Sequence, residues 1–159
     1  LILRGIYDTV TYRKTSAGFQ VMKEYTQSFS YRMDTVWISS LPVHTSMSAT
    51  AHIISPGRMQ FRLRSSGLLL TIEIAEYTGA GLYPIDFHKT YTQRTGSDVL
   101  YIEAADSTYP GFVNIEEADN INKVLKGTFE LNTRWFDHSK IQFVSREFRF
   151  GVFQTPFFE

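Results

Sequence analysis

The residues whose types could do chemistry are few and widely spaced. Gly79 and Gly81, in the stretch EYTGAGLYPID at 76–86, have the spacing that opens a phosphate-cradling loop. A dinucleotide fingerprint needs a third glycine and then a helix whose N-terminus meets the pyrophosphate. Pro84 holds the third glycine position, and IDFHKTYTQ after it has no helical period. Lys followed by Ser or Thr, the P-loop requirement, is missing at the needed spacing. The stretch therefore reads as a turn between two strands.

Other chemistry is equally thin. His44, His52, His88 and His138 show no paired spacing, although strand pleating could bring His44 and His52 together. No metal and no cofactor is expected from them. Glycoside hydrolysis needs two carboxylates about 5–10 Å apart in a cleft. Glu73, Glu103, Glu116 and Glu130 are the candidates, each also readable as a solvated residue on the wet face of a strand. No G-x-S-x-G elbow occurs, and without cysteine there is no disulfide, thiolate metal site or thiol nucleophile. Aromatic residues are more suggestive. Trp135 and Phe136 are consecutive in RWFDHSK, so a strand sends them to opposite faces. They are the candidate ligand-binding residues, since exposed rings serve sugar stacking or protein docking. The alternative is that both cap an open end of the core, and the tail FQTPFFE carries the same two readings.

What must position these residues is a set of strands. Apolar residues alternate in SFSYRMDTVWI (Phe29, Tyr31, Met33, Trp37) and in GRMQFRLRS (Met59, Phe61, Leu63). They do so again in GLLLTIEIAEY, where Leu68, Leu70, Ile72 and Ile74 form one face. Such period-two patterns mark half-buried strands. The SSG between the last two predicts a hairpin that brings Arg62 or Arg64 near Glu73. Further on, Leu100 with Ile102, Val113 with Ile115, and Leu125, Phe129, Leu131 and Trp135 continue the pattern. In KIQFVSREFRFGVF the register switches from Ile141 and Phe143 to Phe148, Phe150 and Val152, which predicts a bulge near Ser145 and Arg146. Residues 115–125 fit a short helix or a hairpin loop at Asp119-Asn120, and the flanking strands favour the loop. Residues 1–26 either add strands or form an extension.

Composition bounds the function. The chain of 159 residues is 43% hydrophobic and carries 13 Phe and 9 Tyr, enough for one globular domain rich in strand-forming aromatics. Its formal net charge is zero, so no global field draws nucleic acid. Apolar runs such as Leu68–Leu70 are too short to span a bilayer as helices. The opening LILRGIYD, without Met or a long apolar stretch, fits a trimmed or processed chain whose targeting signal has been removed.

Five segments in order carry a resemblance: MDTVW (33–37), EYTGAGLYPI (76–85), GFVNIEEAD (111–119), VLKGTFEL (124–131) and IQFVSREFRF (141–150). Over about residues 28–150 the chain resembles the small uncharacterised lipoproteins of Bacteroidetes-type bacteria. It departs from their pattern at Lys126, where serine is usual, at Arg146 or Glu147, where glycine is usual, and in residues 1–26. The resemblance implies an all-β fold and an export signal ending at a lipidated cysteine upstream. It also implies a place on the periplasmic or outer face of an envelope membrane, and it brings no catalytic residue.

The fold expected is one all-β domain over 1–159, an antiparallel β-sandwich built from sequential hairpins, with a lipocalin-like β-barrel as the alternative. The function expected is that of a non-catalytic, envelope-anchored binding or interaction module. Its partner would be a glycan, a peptide or an envelope protein. A barrel carrying a small apolar ligand, and a carboxylate-based glycoside hydrolase, are the alternatives.

Overall fold

A computed structural model describes residues 9–24, 27–39, 49–65, 67–95 and 100–159. Among them are thirteen strands and no helix. The first five are β1 (Thr9–Thr15), β2 (Gly18–Glu24), β3 (Ser28–Met33), β4 (Val36–Ser39) and β5 (Ala49–Ser55). Then come β6 (Arg58–Ser65), β7 (Leu68–Ile74), β8 (Gly81–Pro84) and β9 (Tyr91–Thr95). The last four are β10 (Leu100–Ala105), β11 (Phe112–Asp119), β12 (Val124–Asp137) and β13 (Gln142–Phe158). The expected proximity of His44 and His52 lies outside the described residues.

β1 and β2 make a hairpin of their own, with Thr15 opposite Gly18. The other eleven form one mixed sheet in the order β4-β3-β13-β5-β6-β7-β9-β10-β12-β11-β8, and β13 also pairs with β12. The pairings therefore run in a circuit from β13 through β5, β6, β7, β9, β10 and β12 back to β13. β3–β4 and β11–β8 branch from it. The pairings are antiparallel except where Phe157 and Phe158 of β13 lie parallel to Ala51 and His52 of β5. The fold is all-β, as the alternation predicts.

The core is built from the buried faces of these strands. Tyr31 packs against Phe29, Phe129 and Phe148 with ring centroids 5.9, 5.8 and 5.5 Å away. Phe153 joins Phe61 at 5.0 Å and Phe129 at 6.5 Å. Met59, Leu63, Leu70, Ile72, Ile115, Leu125 and Leu131 fill the space around the rings. Burial of this many apolar side chains, each contributing about 1.5–3 kcal/mol, dominates the favourable side of folding.

Two of the predicted turns are held by side chains. The GAG segment is closed by Tyr83, whose hydroxyl donates to Gly79 O at 2.8 Å and accepts from the Thr78 N–H at 3.2 Å. Gly79 there has φ +128°, a conformation that favours glycine. At Asp119 the hairpin loop prevails over the helix: its Oδ1 accepts the N–H groups of Ile121 and Asn122 at 3.0 and 2.8 Å.

Three expectations are corrected. The outward face of β7 is buried too, with Glu73 only 3% exposed. The segment after β8 covers it: the Glu73 N–H donates to Thr90 Oγ1 at 3.1 Å and the Asp86 N–H to Glu73 O at 2.7 Å. Glu73 accordingly pairs with Arg58 and not with Arg62 or Arg64. In β10 the faces are reversed, with Ile102 outside at 60% exposure and Glu103 inside. In β13 the bulge lies beyond Ser145 and Arg146. Leu131 pairs with Phe148 and Phe129 with Gly151, so the extra residue falls at Arg149–Phe150, where Phe150 has φ +55°. Ile141, Phe143 and Phe150 are consequently exposed while Phe148 and Phe153 are buried.

Gly151 is what lets the bulged strand approach β12. A Cβ there would stand 2.6 Å from Phe129 ring carbons and 2.6 Å from its carbonyl oxygen. Gly151→Ala should cost about 2–3 kcal/mol through overpacking. The loss should appear in urea titration and as a fall in Tm of about 5–10 °C.

Candidate ligand-binding groove

β3 and β4 form a hairpin whose turn is Asp34-Thr35, with Met33 opposite Val36 and Arg32 opposite Trp37. Asp34 takes φ +51°, a conformation that aspartate tolerates better than most residues. Two hydrogen bonds anchor the turn to β13: the Asp34 N–H donates to Glu147 O at 2.8 Å, and the Glu147 N–H donates to Asp34 Oδ1 at 2.9 Å. Directly beyond, the bulge turns Phe150 outward. Its ring lies 6.1 Å from Trp37, at 30° between planes, and the Arg32 guanidinium sits 4.8 Å over it.

The result is a groove of about 500 Å³ lined by Arg32, Asp34, Thr35, Trp37 and Glu147. Trp37 is 53% exposed and Phe150 57%. Exposed rings of this size, set among hydrogen-bonding side chains, are the chemistry of a docking site. Two of the residues with left-handed backbone, Asp34 and Phe150, flank the groove. Such strained positions concentrate at ligand sites, and bulges re-aim side chains there.

Trp135 and Phe136 do go to opposite faces. Trp135 is half-buried beneath the Arg146 guanidinium, 4.8 Å from its ring. Phe136 is 38% exposed and meets Phe143 edge-on at 5.2 Å and His138 at 4.9 Å. The structure therefore does not bring the two together. Phe143 is itself covered by the Arg134 guanidinium at 3.9 Å, leaving a smaller aromatic cluster on the outer face of β12 and β13.

No family model, no curated protein and no solved structure matches the chain.

The four candidate carboxylates are engaged in different ways. Arg58 donates from Nε to Glu73 Oε1 at 2.9 Å and from its terminal nitrogen to Asp86 Oδ2 at 2.6 Å. The bond from Arg58 holds the Asp86 carboxyl below the usual range, against the opposing effect of burial. Glu103, 7% exposed, accepts from Arg146 at 3.0 and 3.1 Å, from Thr133 Oγ1 at 3.1 Å and from Arg94 at 3.5 Å. Glu130 accepts from the Tyr109 hydroxyl at 3.0 Å, and Glu116 is exposed on β11. Among the described residues no three His, Asp or Glu side chains gather as a metal site would require.

Alternation alone missed Trp37, because SFSYRMDTVWI read as one strand places Trp37 on the face of Phe29 and Tyr31. The signal that separates them is Asp34, a turn-former between two apolar runs. Breaking the strand there moves Trp37 to the face of Arg32.

Removing one partner of a buried pair leaves an uncompensated charge. Arg146→Met should therefore destabilise by about 3–4 kcal/mol in chemical denaturation, and adding Glu103→Gln should recover a good part of the loss. Asp86 provides a pH test. Its folded-state pKa is depressed, so its contribution is full above the unfolded value near 3.9 and is lost as pH falls through the folded value. Between about pH 5 and 2, Asp86→Asn should show a shallower decline of stability with acid than the parent protein. Thermal melts across that range check it.

Proposed function

We propose that the protein is a non-catalytic binding module of the cell envelope whose ligand is a glycan seated in the groove of β3, β4 and β13. The observation that carries this is the exposed Trp37–Phe150 pair beside Asp34, Thr35 and Glu147. A pyranose ring has an apolar C–H face and an equator of hydroxyls. An indole plate suits the first, and carboxylate and hydroxyl oxygens at the edge of the plate suit the second. The packed rings of Tyr31, Phe61, Phe129 and Phe153 occupy the space an interior apolar ligand would need, which favours a surface site over a carrier. Buried Glu73 and Glu103, each compensated by arginine, are poorly placed to act as acid and base, which favours binding over hydrolysis. The motif order shared with envelope lipoproteins supports export and anchoring through a lipid upstream of this chain.

An extended peptide is the second reading, favoured by β4. Among the described residues β4 has β3 on one side and no strand on the other, an edge to which a peptide strand can add.

The test is binding to an array of neutral and acidic oligosaccharides, followed by titration calorimetry on those retained. Trp37→Ala and Phe150→Ser should weaken binding at least tenfold while changing stability by less than about 1 kcal/mol, because both rings are largely exposed. Trp135→Ala should instead cost about 2 kcal/mol of stability and leave affinity intact. Retention of no oligosaccharide by the parent protein would refute the glycan assignment.

A further inference from the structure

The charges lining the groove are not equally satisfied. Asp34 Oδ2 lies 3.5 Å from Arg146, and its Oδ1 is taken by the Glu147 N–H. Glu147 Oε1 lies 3.6 Å from Arg149, which also donates to Asn132 Oδ1 and to the carbonyls of Leu131 and Phe148. Arg32 differs from both. Among the described residues it has no carboxylate partner, and its buried Nε has no acceptor. Its guanidinium rests on the face of Phe150 and borders the groove beside Trp37.

A guanidinium in that position is prepared for an anion. Its planar fork matches a carboxylate in a bidentate manner. One face lies against an aromatic ring and its Nε is out of water, so an incoming charge is screened less than at an open surface. The two carboxylates lining the groove oppose such a ligand in part, an opposition reduced by Arg146 at 3.5 Å from Asp34 and Arg149 at 3.6 Å from Glu147. They remain able to accept hydroxyl groups.

We propose that the groove selects glycans bearing a carboxylate, the uronic-acid class, with Trp37 under the sugar ring and Arg32 holding the acid group. This rests on the glycan reading above and specifies its ligand. A charge-assisted hydrogen bond of this kind corresponds to roughly tenfold to hundredfold in affinity.

The deciding comparison is each uronate-containing oligosaccharide against its own methyl ester, for example oligogalacturonate and methyl-esterified oligogalacturonate, together with neutral oligosaccharides. The parent protein should bind the acid form at least tenfold more tightly than the ester, and the preference should shrink as salt rises from about 50 to 500 mM. Arg32→Gln should bind both forms equally, at the level of the ester. Arg32→Lys, which keeps the charge without the fork, should retain only part of the preference. Equal binding of acid and ester by the parent protein, or retention of neutral sugars alone, would overturn the uronate proposal and leave the glycan reading standing. An undiminished preference for the acid in a folded Arg32→Gln would also overturn the role given to Arg32. Binding of no oligosaccharide would overturn both. The acid–ester comparison needs no variant, so it stands even where a substitution unfolds the chain.

Discussion

The ladder between β12 and β13 is the constraint from which the remaining structure follows. It runs from Val124 opposite Pro156 to Asp137 opposite Gln142, much longer than an ordinary strand pair. A pair of that length cannot stay flat, because strand twist accumulates along it. The bulge at Arg149–Phe150 takes up the bend, and with it β13 has β3 beside its middle and β5 beside its far end. Likewise β12 has β11 along its first half and β10 near its second. The circuit of strands and the outward turn of Phe150 thus share one origin.

Charge burial marks out two further places. Over β7, Arg58 holds Glu73 and Asp86 together and keeps the segment after β8 against the sheet. Near the end of the interior, Glu103 gathers Arg146, Arg94 and Thr133, and Arg146 reaches on to Asp34. Through Arg146 the β3–β4 turn is tied to a group inside the fold. The turn that borders the groove is thus held to β13 by two backbone-involving hydrogen bonds as well as by this ion pair.

Much of the all-β architecture was legible in the sequence because period-two alternation reports half-buried strands directly. The β6–β7 hairpin, the turn at Gly79 and Gly81 and the hairpin loop at Asp119-Asn120 could be read as well, from local turn chemistry. What could not be read was any feature set by distant segments. Glu73 looks solvated until residues 85–90 are laid over it, and Glu103 looks solvated until Arg146, forty-three residues away, turns inward. The bulge was legible as a register switch, but its place was not, since Phe143 and Phe150 are apolar residues on an outer face. Trp37 was hidden by a turn of two residues, and Trp135 with Phe136 drew attention by adjacency alone. Adjacent strand residues point apart, so the residues that share a site come from different strands.

The position of β13 in the chain has a consequence for the order of events during synthesis. Partners of β13 are β3, β5 and β12, so three strand edges wait for residues 142–158, the last of the described strands to emerge. Before they arrive, hairpins such as β6–β7 can form locally, but the aromatic interior lacks Phe148, Phe153 and Phe157 and stays open to water. A growing chain of this topology leaves those edges without their partner until β13 is made. Edges left unpaired in that interval are templates for another chain, so the wait for β13 is also the interval of greatest exposure to misassembly.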